Sequence, residues 1–365
     1  MTSYSKWRRP LRLAVATAAL LLAAQAASAA EASRSEQRTL AARQLAMLIV
    51  ENPVGGLELR GGEARELGLE AQFRVEGSST AAVKRVIEAL RIETFEQDGR
   101  LRVRPVHGDR VLDSPRPSWL DGARVRVDLR LRVPAGLPVA ASVTRDKLTV
   151  VGLDEDVVLA ATSGEVAVRE LKGDLELGVT SARVRVEQVA GDVNVTATSG
   201  DLDLRRVGGD ATLNTITGKV RVEDVDGDLE VESGGGTLTL LGVRGRQDVI
   251  SASGDVAIRD PGGDIKVNCA NGDLSVFGLG SADEGNDVFL ASSSGDVEIL
   301  LLPEASFHLD LATDLGTMQL RLPLAVEDVS RRHVAGTLAD GKGRLQIVTA
   351  TGDIRITLDA NSGRD

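Results

Sequence analysis

The chain has 365 residues and a formal net charge of −11 at pH 7, and only 2% of its residues are aromatic. A chain this acidic repels nucleic acid and anionic lipid, so we expect no nucleic-acid partner. The scarcity of aromatic side chains argues against stacking platforms for sugars or single-stranded nucleic acid. Because Cys269 is the only cysteine, no internal disulfide can supply rigidity.

Residues 1–29 have the pattern of a secretory signal peptide. Lys6 and Arg8 lie in a positive segment, Leu13 to Ala24 is apolar, and Ala27-Ser28-Ala29 is a small-residue cleavage site. The alternatives are a transmembrane anchor, for which the apolar stretch is short, and a twin-arginine export signal. We expect export to the periplasm or the cell surface, with no transmembrane segment in the mature chain.

Residues 30–54 are predicted to be a helical or flexible lead-in, because Leu40, Leu45 and Ile49 recur at roughly helical spacing before Pro53. Residues 55–160 are predicted to be the irregular N-terminal part of a β-solenoid. Within this part, Ser79 to Leu90 reads as a short helix with one apolar face.

Glycine recurs every nine residues through the middle of the chain, and an acidic residue followed by an apolar–polar–apolar triplet often comes next. Such a fixed period indicates a repeat architecture in which each unit is a turn and a short strand. Ala182 alone interrupts the series. The predicted turn glycines are Gly164, Gly173, Gly191, Gly200, Gly209, Gly218, Gly227, Gly236, Gly245, Gly254, Gly263 and Gly272.

The units alternate between a first kind, in which a small or polar residue such as Ser199 precedes the glycine, and a second kind, in which an apolar residue such as Val207 lies two residues before it. The full repeat therefore has eighteen residues and two strands. Stacked coils place equivalent residues about 4.8 Å apart, with the apolar residues of each strand in a shared core. We therefore predict an all-β, right-handed parallel β-solenoid. Residues 161–358 are its regular part, interrupted by a loop or short helix at Leu322 to Lys342, and residues 359–365 are a disordered tail.

Two columns of charged residues run along the predicted coils. In one of them Arg185, Asp203 and Arg221 alternate in sign, which indicates an exposed salt ladder. The other contains successive aspartates whose carboxylates accept backbone N–H groups in their own turns. A row of calcium sites is the alternative for this column, since carboxylate oxygens suit calcium. The candidate ligands are Asp174, Asp192, Asp210 and Asp228.

Candidate catalytic residues are few. His107, His308 and His333 are far apart and show no metal-ligand spacing. Cys269 is in phase with inward positions, which predicts a small buried thiol. The run Gly234 to Gly236 lacks the Lys-Ser or Lys-Thr of a phosphate loop and is read as a repeat turn. No cofactor is expected.

The pattern resembles that of the bacterial "putative adhesin" family of exported β-strand-repeat proteins, a domain of unknown function. The likeness rests on Val125 to Leu137, on the recurrent Ser-Gly-Asp block, and on Leu345 to Ile354. The resemblance implies an exported β-solenoid and covers roughly residues 52–358. It implies no catalytic residues.

We therefore expect a non-enzymatic adhesin or cell-envelope scaffold that acts through its ladder surface. Its expected partner is an unidentified protein or a surface glycan, and we expect a monomer. The alternatives are a periplasmic envelope-stress or structural component that binds a protein, and a polysaccharide-active β-helix enzyme. Minimal turns and the absence of histidine pairs count against the enzyme. Either Ser79 to Leu90 or Leu322 to Lys342 is predicted to cover an end of the solenoid.

Overall fold

The computed structural model of the chain describes residues 30–63, 65–120, 122–280 and 285–359, together with the backbone of Leu20–Leu21. Apart from that pair, the signal peptide predicted at residues 1–29 lies outside the described residues. Apart from Asp359, so does the predicted tail at 359–365.

One helix and many short strands make up the described part of the chain. The helix α1 is Thr80–Ala89. The strands are β1 (Leu20–Leu21), β2 (Ala30–Ala41), β3 (Met47–Asn52), β4 (Leu57–Gly62), β5 (Glu66–Gly77), β6 (Leu90–Gln97), β7 (Arg100–His107), β8 (Arg110–Val111), β9 (Arg124–Pro134), β10 (Val139–Val143), β11 (Leu148–Val151), β12 (Val157–Leu171), β13 (Leu175–Val189), β14 (Val193–Ser199), β15 (Leu202–Val207), β16 (Ala211–Thr217), β17 (Val220–Val225), β18 (Leu229–Ser233), β19 (Leu238–Val243), β20 (Gln247–Ser251), β21 (Val256–Arg259), β22 (Ile265–Asn271), β23 (Leu274–Leu279), β24 (Asp287–Ser294), β25 (Val297–Leu301), β26 (Phe307–Thr313), β27 (Met318–Arg321), β28 (Leu324–Val329), β29 (His333–Leu338), β30 (Gly343–Thr349) and β31 (Ile354–Leu358).

The strands stack in parallel into two faces, which confirms the predicted β-solenoid. We call the stack through β3, β10, the first part of β12 and β13, then β14, β16, β18, β20, β22, β24, β30 and β26 the first face. The second face contains β4, β11, the remainder of β12 and β13, then β15, β17, β19, β21, β23, β25, β31 and β27. In the regular coils, partners such as Val193 and Ala211 lie eighteen residues apart.

Alternation along each strand builds the core between the faces. On β14, Val193 and Val195 are buried, and on β15, Leu202, Leu204 and Val207 are buried. Full burial of one such side chain contributes roughly 1.5–3 kcal/mol. Because most coils repeat these positions, an apolar core runs along the solenoid, and the buried Gln247 interrupts it between Leu229 and Ile265.

The glycine columns lie where neighbouring turns touch backbone to backbone. At Gly209, which is in the second kind of unit, an added Cβ would lie 2.2 Å from the Asp192 Oδ1 of the preceding coil. At Gly200, which is in the first kind, it would lie 2.0 Å from the Ala182 carbonyl oxygen, and φ is +124°. Both kinds of glycine therefore allow coils to approach closely.

The helical lead-in predicted at residues 30–54 is wrong, because this segment forms β2 and β3. β2 pairs antiparallel with β5 along its whole length, and β3 pairs in parallel with β7 and β10. Long-range pairing therefore overrides the local helical spacing. The guanidinium groups of Arg34 and Arg38 donate to the carbonyl oxygens of Leu90 and Ile92 on β6.

The helix predicted at Ser79 to Leu90 is confirmed as α1. The Ser79 hydroxyl oxygen accepts the Ala82 backbone N–H at 3.2 Å, which is the geometry of a helix N-cap. Val83, Val86 and Ile87 are buried, and the helix packs against β2 and β5 at the N-terminal end of the solenoid. Its role as a cap stays a prediction.

At the C-terminal end the chain does not stack in sequence order. The last strands, β30 and β31, pair directly with β24 and β25, and the earlier strands β26 and β27 lie outside them. The loop or short helix predicted at Leu322 to Lys342 is wrong, because this segment forms the hairpin β28–β29. β29 pairs antiparallel with β26 and buries Val334 and Leu338. The hairpin forms because the edge of β26 offers unpaired backbone groups.

Candidate functional site

A groove runs along the first face, parallel to the axis of the solenoid. Its two parts, about 990 Å³ and about 440 Å³ in volume, share Thr196, so they form one open groove. The outward wall is Ser142, Ala160, Gly178, Thr196, Asn214, Glu232, Ile250, Asn268, Ala291, Val348 and Ala312, and the turn wall is Thr144, Thr162, Thr180, Thr198, Ile216, Gly234, Ala252, Ala270, Ser293, Ala350 and Asp314. Strand spacing makes the channel about 48 Å long.

The groove exists because the last inward residue of each first-face strand that lines it is no larger than valine, as at Val143 and Val179, and is smaller still in the other strands. In the C-terminal coils this position, apart from Cys269, holds hydroxyl residues whose side chains donate to turn carbonyl oxygens. Ser251 Oγ donates to the Ser253 oxygen at 3.2 Å, and Thr313 Oγ1 donates to the Gly352 oxygen at 3.1 Å. These hydrogen bonds satisfy buried polar groups, and the short side chains let the surface sink toward the core.

Cys269 occupies the same inward column, and its burial confirms the predicted buried thiol. Its Sγ lies 3.7 Å from the Gly254 carbonyl oxygen. Burial raises the pKa of the Cys269 thiol, which keeps the reactive thiolate form scarce. The residue therefore belongs to the floor of the groove as a small apolar side chain.

The walls of the groove are almost free of charge, unlike the rest of the surface. Among the residues that the structure describes, Glu232 and Asp314 are the charged members of the two walls, and none of the wall residues is aromatic. The N-terminal half presents mainly threonine hydroxyls. The C-terminal half is more apolar, with Ile216 60% exposed and Ile250 and Val348 also exposed. The groove was not predicted from the sequence. Its signal was present, because uncharged residues recur every eighteen residues just before the Ser-Gly turns.

The predicted aspartate column is a structural ladder that links successive coils. The Oδ1 of Asp174 accepts the backbone N–H of Asp192 at 2.9 Å, Asp192 accepts that of Asp210 at 2.9 Å, and Asp210 accepts that of Asp228 at 2.8 Å. The prediction that each carboxylate bonds within its own turn is wrong, because the donor belongs to the next coil. Stacking at strand spacing places that N–H within hydrogen-bond distance of the carboxylate.

We expect Asp192→Ala to lower the free energy of unfolding by about 1 kcal/mol, because the Asp210 N–H loses its acceptor at an exposed site. Asp192→Asn should lose less, since the amide oxygen still accepts. Urea denaturation checks both. The calcium hypothesis for this column stays a prediction, and repeating the urea denaturation with calcium and with a chelator tests it. A bound ion would raise the free energy of unfolding by mass action, whereas superimposable curves would contradict the hypothesis.

The predicted salt ladder on the second face is present in part, because Arg221 pairs with Glu223 of its own strand at 3.0 Å and not with Asp203. Arg185 Nε lies 4.0 Å from Asp203 Oδ2, and Arg169 Nε lies 3.6 Å from Glu187 Oε2. These pairs are exposed, so each contributes only about 0.2–1 kcal/mol. The second face is therefore a solvated, mixed-charge surface, in contrast to the uncharged groove.

The three histidines lie at opposite ends of the solenoid. His107 packs against Trp119 at the N-terminal end, with ring centroids 5.4 Å apart, and burial lowers its pKa. His308 and His333 are on the adjacent strands β26 and β29, but His308 lies opposite Thr337 and His333 lies opposite Ala312, so the two rings do not form a pair. Across the described ranges, no group of three or more His, Cys, Asp or Glu side chains has the arrangement of a metal site.

His333 holds the hairpin β28–β29 to β26. Its Nε2 lies 2.9 Å from Asp310 Oδ1 on β26, and its Nδ1 lies 3.1 Å from Asp328 Oδ2 on β28. The hydrogen bonds to Asp310 and then to Asp328 raise the pKa of His333 above 6.5. The protonated ring therefore stabilises the hairpin below about pH 6.5, and this stabilisation is lost as the pH rises through the higher folded-state pKa.

We expect the β28–β29 amides to exchange hydrogen faster at about pH 8.5 than at about pH 6, after correction for intrinsic rates, because the His333 ring loses its proton as the pH rises through its raised pKa. His333→Gln should remove this difference. His308→Gln, on the neighbouring strand, should keep it. An unchanged pH response in His333→Gln would assign it to another group.

Comparison with known proteins gives a family match. Residues 207–357 match the family model described as Toastrack DUF4097, which confirms the resemblance to the "putative adhesin" domain of unknown function. No significant match to a curated protein was found. Among the described residues, no helix is long and apolar enough to cross a membrane.

Several solved structures show distant likeness to the chain. A "putative cell adhesion protein" from Clostridium sporogenes is 11% identical, with 89% of this chain and 99% of that chain covered and a TM-score of 0.23. A "putative lipid binding protein" from Parabacteroides distasonis is also 11% identical, with 88% and 96% covered and a TM-score of 0.30. A "putative adhesin" from Bacteroides fragilis has 11% identity, 88% and 97% coverage and a TM-score of 0.23.

Proposed function

Because residues 207–357 carry the Toastrack DUF4097 match, we propose that the chain is a non-enzymatic binding protein of the bacterial cell envelope, an adhesin or scaffold. Its binding surface is the first-face groove. The observation that carries the proposal is the continuity of that groove over eleven stacked strands.

The shape of the groove favours an elongated partner. Each coil presents the same two wall positions about 4.8 Å further along the axis, so successive groups of a linear polymer meet similar surroundings. A compact ligand would instead need a closed pocket with a few convergent polar groups. The hydroxyl-rich and apolar halves together suit an uncharged, extended protein segment or glycan.

Arginine substitutions on opposite faces test the groove. Ile250→Arg places a long cation in the channel, whereas Ala257→Arg places the same side chain on the outward surface of the second face. Immobilised fibronectin, collagen and neutral polysaccharides serve as probes in an interferometric binding assay. We expect at least one probe to bind the native chain and the Ala257→Arg variant, and to lose most binding to Ile250→Arg. Equal binding by both variants would place the interaction elsewhere.

Protease shaving of intact cells, followed by immunoblotting, tests the location. We expect loss of the protein from whole cells, as for an outer-surface adhesin. Protection in whole cells with loss after the envelope is opened would contradict surface adhesion and support the periplasmic structural alternative. Incubation with acidic polysaccharides tests the non-enzymatic assignment, because a lyase produces new absorbance from unsaturated products.

A further inference from the structure

The two ends of the solenoid differ in how their strand edges are finished. At the N-terminal end, the free edge of β6 is met by Arg34 and Arg38, whose guanidinium groups donate to its carbonyl oxygens. At the C-terminal end, β27 pairs only with β31, and β28 pairs only with β29, within the described part of the chain. Two strand edges therefore remain available for pairing at this end.

The inward side chains of these two edge strands are apolar and incompletely covered. Met318 and Leu320 on β27 are half-buried, although their partners Ile354 and Ile356 on β31 are fully buried. On β28, Val326 is 56% exposed and Val329 is 68% exposed. The C-terminal end thus exposes apolar side chains at positions that are buried in the other coils, and an exposed apolar patch of this kind marks an interaction surface.

The two faces stop at different heights. The first face continues beyond β26 through β29 and β28, whereas the second face ends at β27. Two additional strands make a step of about 9.6 Å. A flat partner would contact only the higher edge. A partner with the same step fits when it is rotated by 180° about the strand direction. Its β28 then lies against β27 of the first molecule, and its β27 lies against β28 of the first molecule.

We propose that the partner is a second copy of this chain, joined end to end about a two-fold axis that runs along the strands. In this arrangement β28 of each copy pairs with β27 of the other. β28 runs in the same direction as β26, and β27 returns in the opposite direction along the other face, so both pairings are antiparallel. The interface is isologous and closes both free edges at once.

Charge on the outward sides of the two strands is complementary. Arg321 is outward on β27, and Glu327 is outward on β28, where it accepts the Thr337 hydroxyl. When Leu320 is placed opposite Val326 of the second copy, both apolar residues face inward. Arg321 then lies diagonally across from Glu327 of that copy, within reach of a long side chain. The proposal replaces the monomer expected from the sequence and stands independently of the groove.

Light scattering during size-exclusion chromatography tests the proposal, over roughly three decades of concentration that bracket ordinary interface affinities. We expect the purified chain to have twice the monomer mass at high concentration. Arg321→Glu and Glu327→Arg should each weaken the dimer by about tenfold, because each places like charges together twice per interface. The double variant Arg321→Glu/Glu327→Arg should recover most of the affinity, since the charges are exchanged and both copies carry both changes.

Leu320→Asp should give a monomer by placing a carboxylate in the apolar seam, while Phe95→Asp, at the opposite end on β6, should leave the dimer unchanged. Melting temperatures of the charge variants equal to that of the native chain would show that the variants remain folded. A native chain that stays monomeric over the whole range would overturn the proposal. So would dissociation by Phe95→Asp, or failure of the double variant to recover.

Discussion

Replacing Val207 with aspartate should unfold the middle of the solenoid and lower the free energy of unfolding by more than about 4 kcal/mol. Val207 is 1% exposed and lies in register between the buried residues Val189 and Val225 of the neighbouring coils. The new carboxylate would have no partner in this apolar column, so its desolvation is uncompensated. Urea denaturation followed by circular dichroism measures the loss.

The matched control is Val158→Asp. Val158 also lies on a stacked strand of the solenoid, β12, but points outward and is 41% exposed. We expect its free energy of unfolding to change by no more than about 0.5 kcal/mol. Should Val207→Asp fail to fold, Val207→Ala should still show a loss of about 2 kcal/mol from the vacated core volume. Equal effects at positions 158 and 207 would contradict the assignment of inward and outward columns.

Gly218→Ala should lower the free energy of unfolding by about 3 kcal/mol, although it adds a single methyl group. The added Cβ would lie 2.1 Å from the Gly200 carbonyl oxygen and 2.9 Å from its carbonyl carbon. The φ angle of +141° is also unfavourable for any residue with a Cβ. Because both neighbours are backbone atoms of the coil below, the strain can be relieved only by separating the coils. Denaturant melts measure the loss.

Gly178→Ala provides the control within the same solenoid. No atom lies within 4 Å of an added Cβ at Gly178, and its φ is outside the left-handed region. Alanine there should raise stability by about 0.5 kcal/mol, because it restricts the unfolded chain. A destabilisation as large as that of Gly218→Ala would show that glycine is needed for a reason other than contact between turns.

The regular coils could be predicted because every coil repeats the same local instructions. A glycine, an acidic residue and an alternating strand recur with period eighteen, so the pairing of Leu202 with Val220 follows from the spacing alone. The helix α1 was also predictable, since Ser79 and the apolar face are local signals. One column of turn residues with positive φ angles was harder to predict. It contains Gly152 and Gly242 but also Gln188 and Arg206, so glycine alone does not identify it in the sequence.

The candidate groove was not predicted, because it depends on side-chain size at the ends of strands from eleven different coils. No single segment carries that information: Ile216 and Ile250 look like ordinary strand residues until the stack places them on one wall. The histidines were similarly misleading. His308 and His333 appear unrelated in the sequence, and only the hairpin brings His333 between Asp310 and Asp328.

The sequence by itself determined the coil of this protein: its length, its inward column and its turns, because each coil contacts mainly its neighbours and a periodic pattern encodes that contact. The tertiary structure decided the two ends. There, β2 and β3 formed where local spacing favoured a helix, and β30 inserted between β24 and β26 out of chain order. The physical reason is that strand edges are satisfied by whichever distant segment pairs with them best, and that choice has no local signature.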